Sequence, residues 1–269
     1  MKINVAAIQI QGIWGDKAHN LQRVELIMEE ALRRGADFFV LPELWNSAYD
    51  DEHFAELPEM AEDVNGPSLS FLREKARKHG VFIGGGSIVE SRHGKLYNSS
   101  FFINPAGEIL GKYRKAHLFG REKEYFSPGE EWGILSDEQN LPELRVGMAI
   151  CYDLRFPEFF RNMVLRGARL FTLPVAWPDC RREEYILMTR ARAAENRSVF
   201  VSANLRDKEG KLAGSSLLVS QFGEILDLCK EPEGFAFAQI DLDKLLDPNA
   251  FFPLNDRRQF LDEIDDNLL

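Results

Sequence analysis

The sequence predicts an α/β fold built in layers, and three observations predict it. Stretches with apolar residues at every second position alternate with stretches of period 3.6, the pattern of strands and helices packed face to face. A segment that reads as helix end, glycine cap, buried strand and proline stop occurs twice. Three reactive side chains, Glu43, Lys115 and Cys151, each stand where a strand-like run gives way to polar or turn residues, the place where open α/β folds keep their chemistry.

The elements follow in order. The run from Ile3 to Ile10 reads as a first strand, and Lys17 to Arg34 as an amphipathic helix with Leu21, Val24, Ile27, Met28 and Leu32 on one face. Phe38 to Leu41 is a buried strand stopped by Pro42. Ser68 to His79 reads as a helix with Ser68 as its cap, and "VFIGG" from Val81 as a strand. "LYNSSFFIN" and "EILGKYRK" are strands on either side of a "PAGE" turn, and "LRVGMAI" is a strand that runs into Cys151. Phe156 to Arg166 reads as a helix, Leu170 to Leu173 as a strand, Glu183 to Arg197 as a helix and Val199 to Asn204 as a strand. "SSLLVSQFGEIL" is a hairpin with Gly223 in its turn, while the tail 243–269 has no clean period.

The repeat aligns Arg33 to Trp45 with Leu165 to Trp177, matching Gly35 with Gly167, Phe39 with Phe171, Pro42 with Pro174 and Trp45 with Trp177. Two similar helix-to-strand units, related by a pseudo-two-fold axis that brings their strand ends together, would explain it. The plain alternative is that a glycine cap before a strand is common in α/β proteins. Glu43 in the first copy is Val175 in the second, so the turn itself does not require a carboxylate.

Composition excludes several classes. With 269 residues, 45% hydrophobic and 28% charged, the chain can bury a large core and reads as one domain over 1–269. A net charge of -10 argues against nucleic acid and against an anionic membrane surface, and no apolar run approaches the roughly 20 residues of a membrane helix. A neutral or small substrate fits better. Three cysteines without paired spacing and no secretory leader point to the reduced cytoplasm. No HExxH or clustered Cys/His spacing offers a metal site, and no cofactor motif is expected.

An acid, an amine and a thiol in such places suggest covalent hydrolysis. Cys151 ends an apolar run and precedes "YDLRFPE", a strand-to-helix turn that exposes a sulfur and aims backbone N–H groups at an oxyanion; the plain alternative is a buried inert thiol. Cys180 and Cys229 lack that frame and read as structural. Glu43, between Pro42, Leu44 and Trp45, is a carboxylate in apolar company and a candidate general base, with a helix-capping acid as its alternative. Strand alternation in "GKYRKAH" turns Lys115 inward with Gly111 and Tyr113, and turns Lys112 and Arg114 outward. An inward lysine near a carboxylate keeps its charge and stabilises an oxyanion.

The segments "FFVLPELW", "GKYRKAHLF" and "VGMAICYDLRFPE" resemble, in order, local sequence and separation, the Glu-Lys-Cys triad of the nitrilase superfamily of carbon-nitrogen hydrolases, and the resemblance covers nearly the whole chain. It implies a four-layer α-β-β-α sandwich, with Glu43 as general base, Cys151 as nucleophile, and Lys115 with the Tyr152 N–H holding the tetrahedral intermediate. It also implies a second glutamate after the lysine: Glu122, six residues before Pro128, with Glu124 in reserve. No metal is implied. Family members pair into dimers through helices beside the site, with a C-terminal tail crossing to the partner, and the apolar tail here is consistent with a homodimer or larger homo-oligomer.

"CYDLRFPE" is similar to the amidase branches, omega-amidases and N-carbamoyl hydrolases, more than to true nitrilases, where Trp follows the cysteine. The substrate this implies is a small linear monoamide, an omega-amide of a dicarboxylate, with carbamoyl compounds and nitriles as alternatives. Tyr49, Phe119, Tyr152 and Trp177 are the candidate pocket residues. Asp153, Arg155 and Glu158 read as a network behind the nucleophile, Tyr113 and Arg114 as scaffold, and Arg181 and Arg182 as a solvated helix start. Two other classes stay open: a papain-like Cys-His hydrolase, for which His117 is the candidate partner, and a non-catalytic binding protein on the same scaffold.

Overall fold

A computed structural model of the chain describes residues 1–247. The first half runs β1 (Lys2–Gln9), α1 (Lys17–Arg33), β2 (Phe38–Val40), α2 (Leu57–Met60), α3 (Pro67–His79), β3 (Phe82–Arg92), β4 (Lys95–Ile103), β5 (Ile109–Arg114) and α4 (Glu122–Tyr125). The second runs β6 (Ile134–Asp137), β7 (Leu141–Met148), α5 (Pro157–Leu165), β8 (Ala168–Val175), α6 (Arg182–Asn196), β9 (Val199–Asn204), β10 (Leu217–Val219), β11 (Ile225–Leu228), β12 (Gly234–Asp241) and α7 (Leu242–Leu245).

Two six-stranded sheets result, in the orders β12-β1-β2-β3-β4-β5 and β11-β10-β9-β8-β7-β6. Each has three parallel strands at its centre (β1, β2, β3 and β7, β8, β9), a hairpin continuation on one side, and one antiparallel strand on the other. The helices match as well, since α1 and α3 make the crossovers of the first sheet and α5 and α6 those of the second. The sequence repeat falls on β2 and β8, and both of its glycines carry positive φ, 83° at Gly35 and 98° at Gly167. The helix-to-strand likeness thus extends to a duplicated topology.

Alternation in β1 shows how the layers stack. Val5 and Ala7 join Phe38, Val40 and the residues of the second sheet in one core, whereas Ala6 and Ile8 pack with Val24, Ile27, Met28 and Ala31 of α1 and with Leu69 and Leu72 of α3. Gly84 lets the sheets approach closely, because a Cβ there would lie 3.0 Å from Thr172 Cγ2. Behind the second sheet, Phe160 of α5 meets Phe171 of β8 at 5.4 Å between ring centroids, and Phe171 stacks on Phe200 of β9 at 4.7 Å. The order is α-β-β-α, four layers.

Several expectations are corrected. Helix α3 starts from Gly66, not Ser68; Ser68 is buried within the first turn, and its N–H donates to Glu62 Oε2 at 2.9 Å, so the capping acceptor comes from a preceding loop. Strands β6 and β12 and the short helical turns over 51–60 have no counterpart in the sequence reading. Strand β12 is an edge strand that pairs with β1 from Lys2↔Asp241 to Gln9↔Gly234, and its "GFAFAQ" has only a partial alternation because one face is half-solvated. Of the tail, Asp243 is reached by the N-terminal ammonium, and 248–269, with the expected crossing to a partner, lie outside the described residues. Among the described residues no helix is long and apolar enough to cross a membrane.

Lys112 and Arg114 leave the inner face as alternation predicts, yet they meet a buried acid. Glu90 on β3 accepts from Lys112 Nζ at 2.8 Å, Arg114 Nε at 2.8 Å and Ser99 Oγ at 2.6 Å. Burial pushes the Glu90 carboxyl up, but the Arg114 and Lys112 hydrogen bonds overcome it and hold it down at about 2. A depressed folded-state pKa contributes stability above the unfolded value, which is lost as pH falls towards the folded one. Glu90→Gln therefore lowers the melting temperature at pH 7, and the gap to the parent narrows as pH drops from about 5 towards 2, readable in thermal melts across that range.

Candidate active site

Glu43 sits on the turn after β2, and three consecutive glycines in β3 make room for that turn. The β3–β4 register shifts between Gly84 and Ser87, and the bulge clasps the turn: Ser87 N–H donates to Pro42 O at 3.1 Å, Trp45 Nε1 to Gly85 O at 2.9 Å, and Leu44 N–H to Ser87 Oγ at 3.0 Å. Gly86 has φ +64°, and a Cβ there would stand 2.3 Å from Pro42 O, so only glycine fits. The Glu43 N–H reaches Val175 O at 3.4 Å, which joins the two equivalent residues of the repeat across the sheets.

Lys115 follows β5, with its N–H on Asn98 O of β4 at 2.9 Å. Its ammonium lies 2.8 Å from Glu43 Oε1 and 2.8 Å from Glu122 Oε1, and all three side chains are at most 1% exposed. Glu122 opens α4, and its other oxygen accepts from the Phe119 N–H at 2.9 Å. Glu124 is exposed and faces Arg121. The structure therefore brings Glu122, not Glu124, to Lys115.

Cys151 stands where β7 ends, with φ +45°, a strained conformation for a non-glycine residue, and a short 3₁₀ turn over Cys151–Arg155 leads into α5. Asp153, fully buried, accepts from the Ile150 N–H at 2.8 Å, the Tyr113 hydroxyl at 2.8 Å and the His117 N–H at 3.1 Å. Of the network expected behind Cys151, only Asp153 takes part, since Glu158 is exposed. The His117 ring is engaged there too, its Nδ1 2.7 Å from Asp153 Oδ1 and its plane stacked on Phe156 at 3.8 Å, and it neither lines the cavity nor hydrogen-bonds Cys151.

A cavity of about 450 Å³ opens onto Lys115 and Cys151, and the four expected pocket residues, Tyr49, Phe119, Tyr152 and Trp177, all line it. Arg155 corrects the sequence reading: it too lines the cavity, paired with Glu184 at 2.6 Å and set over the Trp177 ring at 5.1 Å. The helix-start reading holds for both arginines, Arg182 pairing with Asp179 and the exposed Arg181 standing at the N-cap of α6, where it also lines the cavity. Sequence reasoning also missed Asn98, whose Nδ2 donates to Glu43 Oε1 at 2.8 Å, and the 205–212 loop that forms one wall. The signal for Asn98 was three polar residues, Asn98, Ser99 and Ser100, in an otherwise apolar strand.

Electrostatics follow from burial. Burial alone would lower Lys115, but Glu122 and Glu43 override it and hold the ammonium well above the usual lysine range. Burial pushes the Glu122 carboxyl up against the pull of Lys115. Burial also pushes the Cys151 thiol well up, and the Glu43 charge adds to this while Lys115 and the Ala176 N–H oppose it. Burial thus favours the thiol over the thiolate at Cys151. Tyr49 is raised by burial and by the same two glutamates, so its hydroxyl stays a donor.

These features have close counterparts in known proteins. The family model for carbon-nitrogen hydrolases matches residues 4–246, and the chain belongs to the carbon-nitrogen hydrolase family, enzymes that hydrolyse carbon–nitrogen bonds. It is 32% identical over 260 residues to the 2-oxoglutaramate amidase of Bacillus subtilis (strain 168), covering 95% of this chain and 97% of that one. It is 34% identical over 275 residues to omega-amidase NIT2 of Bos taurus, covering 97% of each. Among solved structures, a mutant of the amidase from Nesterenkonia sp. AN1 in complex with butyramide superposes with a TM-score of 0.81 at 27% identity, over 97% of this chain and 95% of that one.

Among the described residues, Lys115 is the cation that bridges the buried carboxylates of Glu43 and Glu122. Lys115→Met leaves Glu43 and Glu122 as neighbouring buried acids and costs about 3–5 kcal/mol in urea unfolding. Adding Glu122→Gln to that variant removes one of the two acids and restores part of the loss.

Proposed function

We propose that this protein is an omega-amidase-like hydrolase that releases ammonia from a small linear monoamide through a Cys151 thioester. The observation that carries this reading is the buried Glu43–Lys115–Glu122 cluster, whose Lys115 lines the cavity together with Cys151. Glu43 Oε2 is buried without a hydrogen-bond partner, a carboxylate oxygen left bare for a proton.

The steps follow. Glu43 takes the Cys151 proton as sulfur attacks the amide carbonyl carbon, and the Lys115 ammonium with the Tyr152 N–H stabilises the oxyanion. Collapse breaks the C–N bond, and Glu43 returns the proton to the departing nitrogen, which leaves as ammonia. Water then gives a proton to Glu43 and its oxygen to the thioester; collapse frees the acid and regenerates the thiol. Glu122 keeps Lys115 charged and in place. No cofactor or metal takes part in this scheme.

The omega-amide assignment is supported by the amidase relatives and by Arg155, a guanidinium on the cavity wall beside Tyr152 and Trp177 that can hold a substrate's far carboxylate. The chain works as a cytoplasmic homodimer in this reading. Three unpaired cysteines support the compartment, and exposed Leu165 and Leu187 on the adjacent helices α5 and α6 support the dimer.

Ammonia release from omega-amides of four- and five-carbon dicarboxylates, N-carbamoyl amino acids, aliphatic amides and a nitrile tests the assignment. Omega-amides turn over best and Cys151→Ala abolishes turnover. Arg155→Ala raises KM for omega-amides about ten-fold or more and leaves aliphatic amides unchanged, as expected for a lost charge-assisted contact. Preference for carbamoyl compounds, aliphatic amides or the nitrile would move the protein to another branch.

A further inference from the structure

Glu43 holds its two oxygens in unlike surroundings. Oε1 accepts from Lys115 Nζ at 2.8 Å and from Asn98 Nδ2 at 2.8 Å, whereas Oε2 is buried and accepts from nothing. Asn98 lies on β4 at 1% exposure. A carboxylate can face only the nitrogen end of an amide, so Asn98 Oδ1 is turned away, and it too is buried without a partner. An unsatisfied acceptor in a buried interior is unfavourable. Pleating sends the next residue, Ser99, to the opposite face and onto Glu90. The Asn98 carbonyl meanwhile accepts from the Lys115 N–H at 2.9 Å. One residue thus orients the acid through its side chain and the lysine through its backbone.

We infer that Asn98 is a positioning residue that makes Glu43 Oε2 the only proton-accepting oxygen of the base. A proton on Oε1 would be driven against two N–H donors, so protonation goes to Oε2. With Asn98 gone, Lys115 alone holds Oε1, and the carboxyl can turn so that either oxygen faces the ammonium. The base then spends much of its time with its free oxygen misdirected, a loss felt in the chemical step rather than in binding, since Asn98 does not line the cavity. This inference rests on Glu43 being the general base.

The test compares Asn98→Ala, Asn98→Asp and Glu43→Gln with the parent, following ammonia release from the monoamide of succinate, or from the best amide of the panel, together with thermal melts. Asn98→Ala lowers kcat about 100-fold with KM within about three-fold, as expected for a misaligned general base. Asn98→Asp keeps the shape but sets a second carboxylate on Glu43. The groups already facing Glu43, namely Lys115, Glu122, Cys151 and Tyr49, are unchanged, so the acid limb of kcat/KM moves up by about one pH unit or more. A purely structural asparagine would lower the melting temperature and leave that limb where it was. The inference is overturned if Asn98→Ala keeps kcat within about three-fold of the parent while Glu43→Gln is inactive. It is equally overturned if Asn98→Asp folds with an unmoved acid limb, a result that decides the matter even where Asn98→Ala fails to fold. An active Glu43→Gln would instead remove the general base itself.

Discussion

A charged lysine buried in the interior is the constraint on which the rest of this molecule depends. Taking the Lys115 ammonium into the interior is tolerable only because two carboxylates meet it at 2.8 Å each, and those acids come from a turn 72 residues earlier and a helix 7 residues later. The demand for this contact explains local features that otherwise look wasteful. The glycine-rich bulge in β3 exists to let the Glu43 turn settle, and the short α4 exists to bring Glu122 inward while its neighbours stay outside. Because the ammonium satisfies only one unit of negative charge, the cluster keeps a surplus carboxylate beside a thiol that burial has made a poor acid.

The scaffold meets this demand by using one design twice, with a carboxylate at only one of two equivalent positions. Both sheets have the same strand order and directions, and the repeat puts Glu43 and Val175 at matching strand ends, where they hydrogen-bond to each other through the backbone. Facing strand ends concentrate loops from both halves into one cavity, so Trp177 and Cys151 of the second half complete a site whose acid and lysine belong to the first. An enzyme of the carbon-nitrogen hydrolase family thus needs both halves of its chain to assemble one centre.

Two buried glutamates show how polar satisfaction separates scaffold from chemistry. Glu90 has donors on both oxygens, and those bonds outweigh burial; such a group stiffens the β3-β4-β5 ribbon and has nothing left to offer a substrate. Glu43 is as deeply buried, yet one oxygen receives every donor and the other receives none. Incomplete satisfaction of that kind is unfavourable for folding and is retained where a reaction uses it.

Period and punctuation in the sequence by themselves determined the layered α/β class, most element positions, the duplicated helix-to-strand unit and the strand-end placement of Glu43, Lys115 and Cys151, because these are local properties of alternation, caps and strand ends. Only the tertiary structure decided which glutamate of "GREKEYF" meets the lysine, since Glu122 and Glu124 differ by the direction of one short helical turn. It also decided that Arg155 faces the cavity and that His117 belongs to Asp153. Asn98 became visible only there, as its partner lies 55 residues away and on another strand's turn. Pairings of this kind depend on long-range packing, which carries no period in the chain. For the same reason β12, whose partner β1 stands at the opposite end of the sequence, left no clear mark before the sheet was assembled.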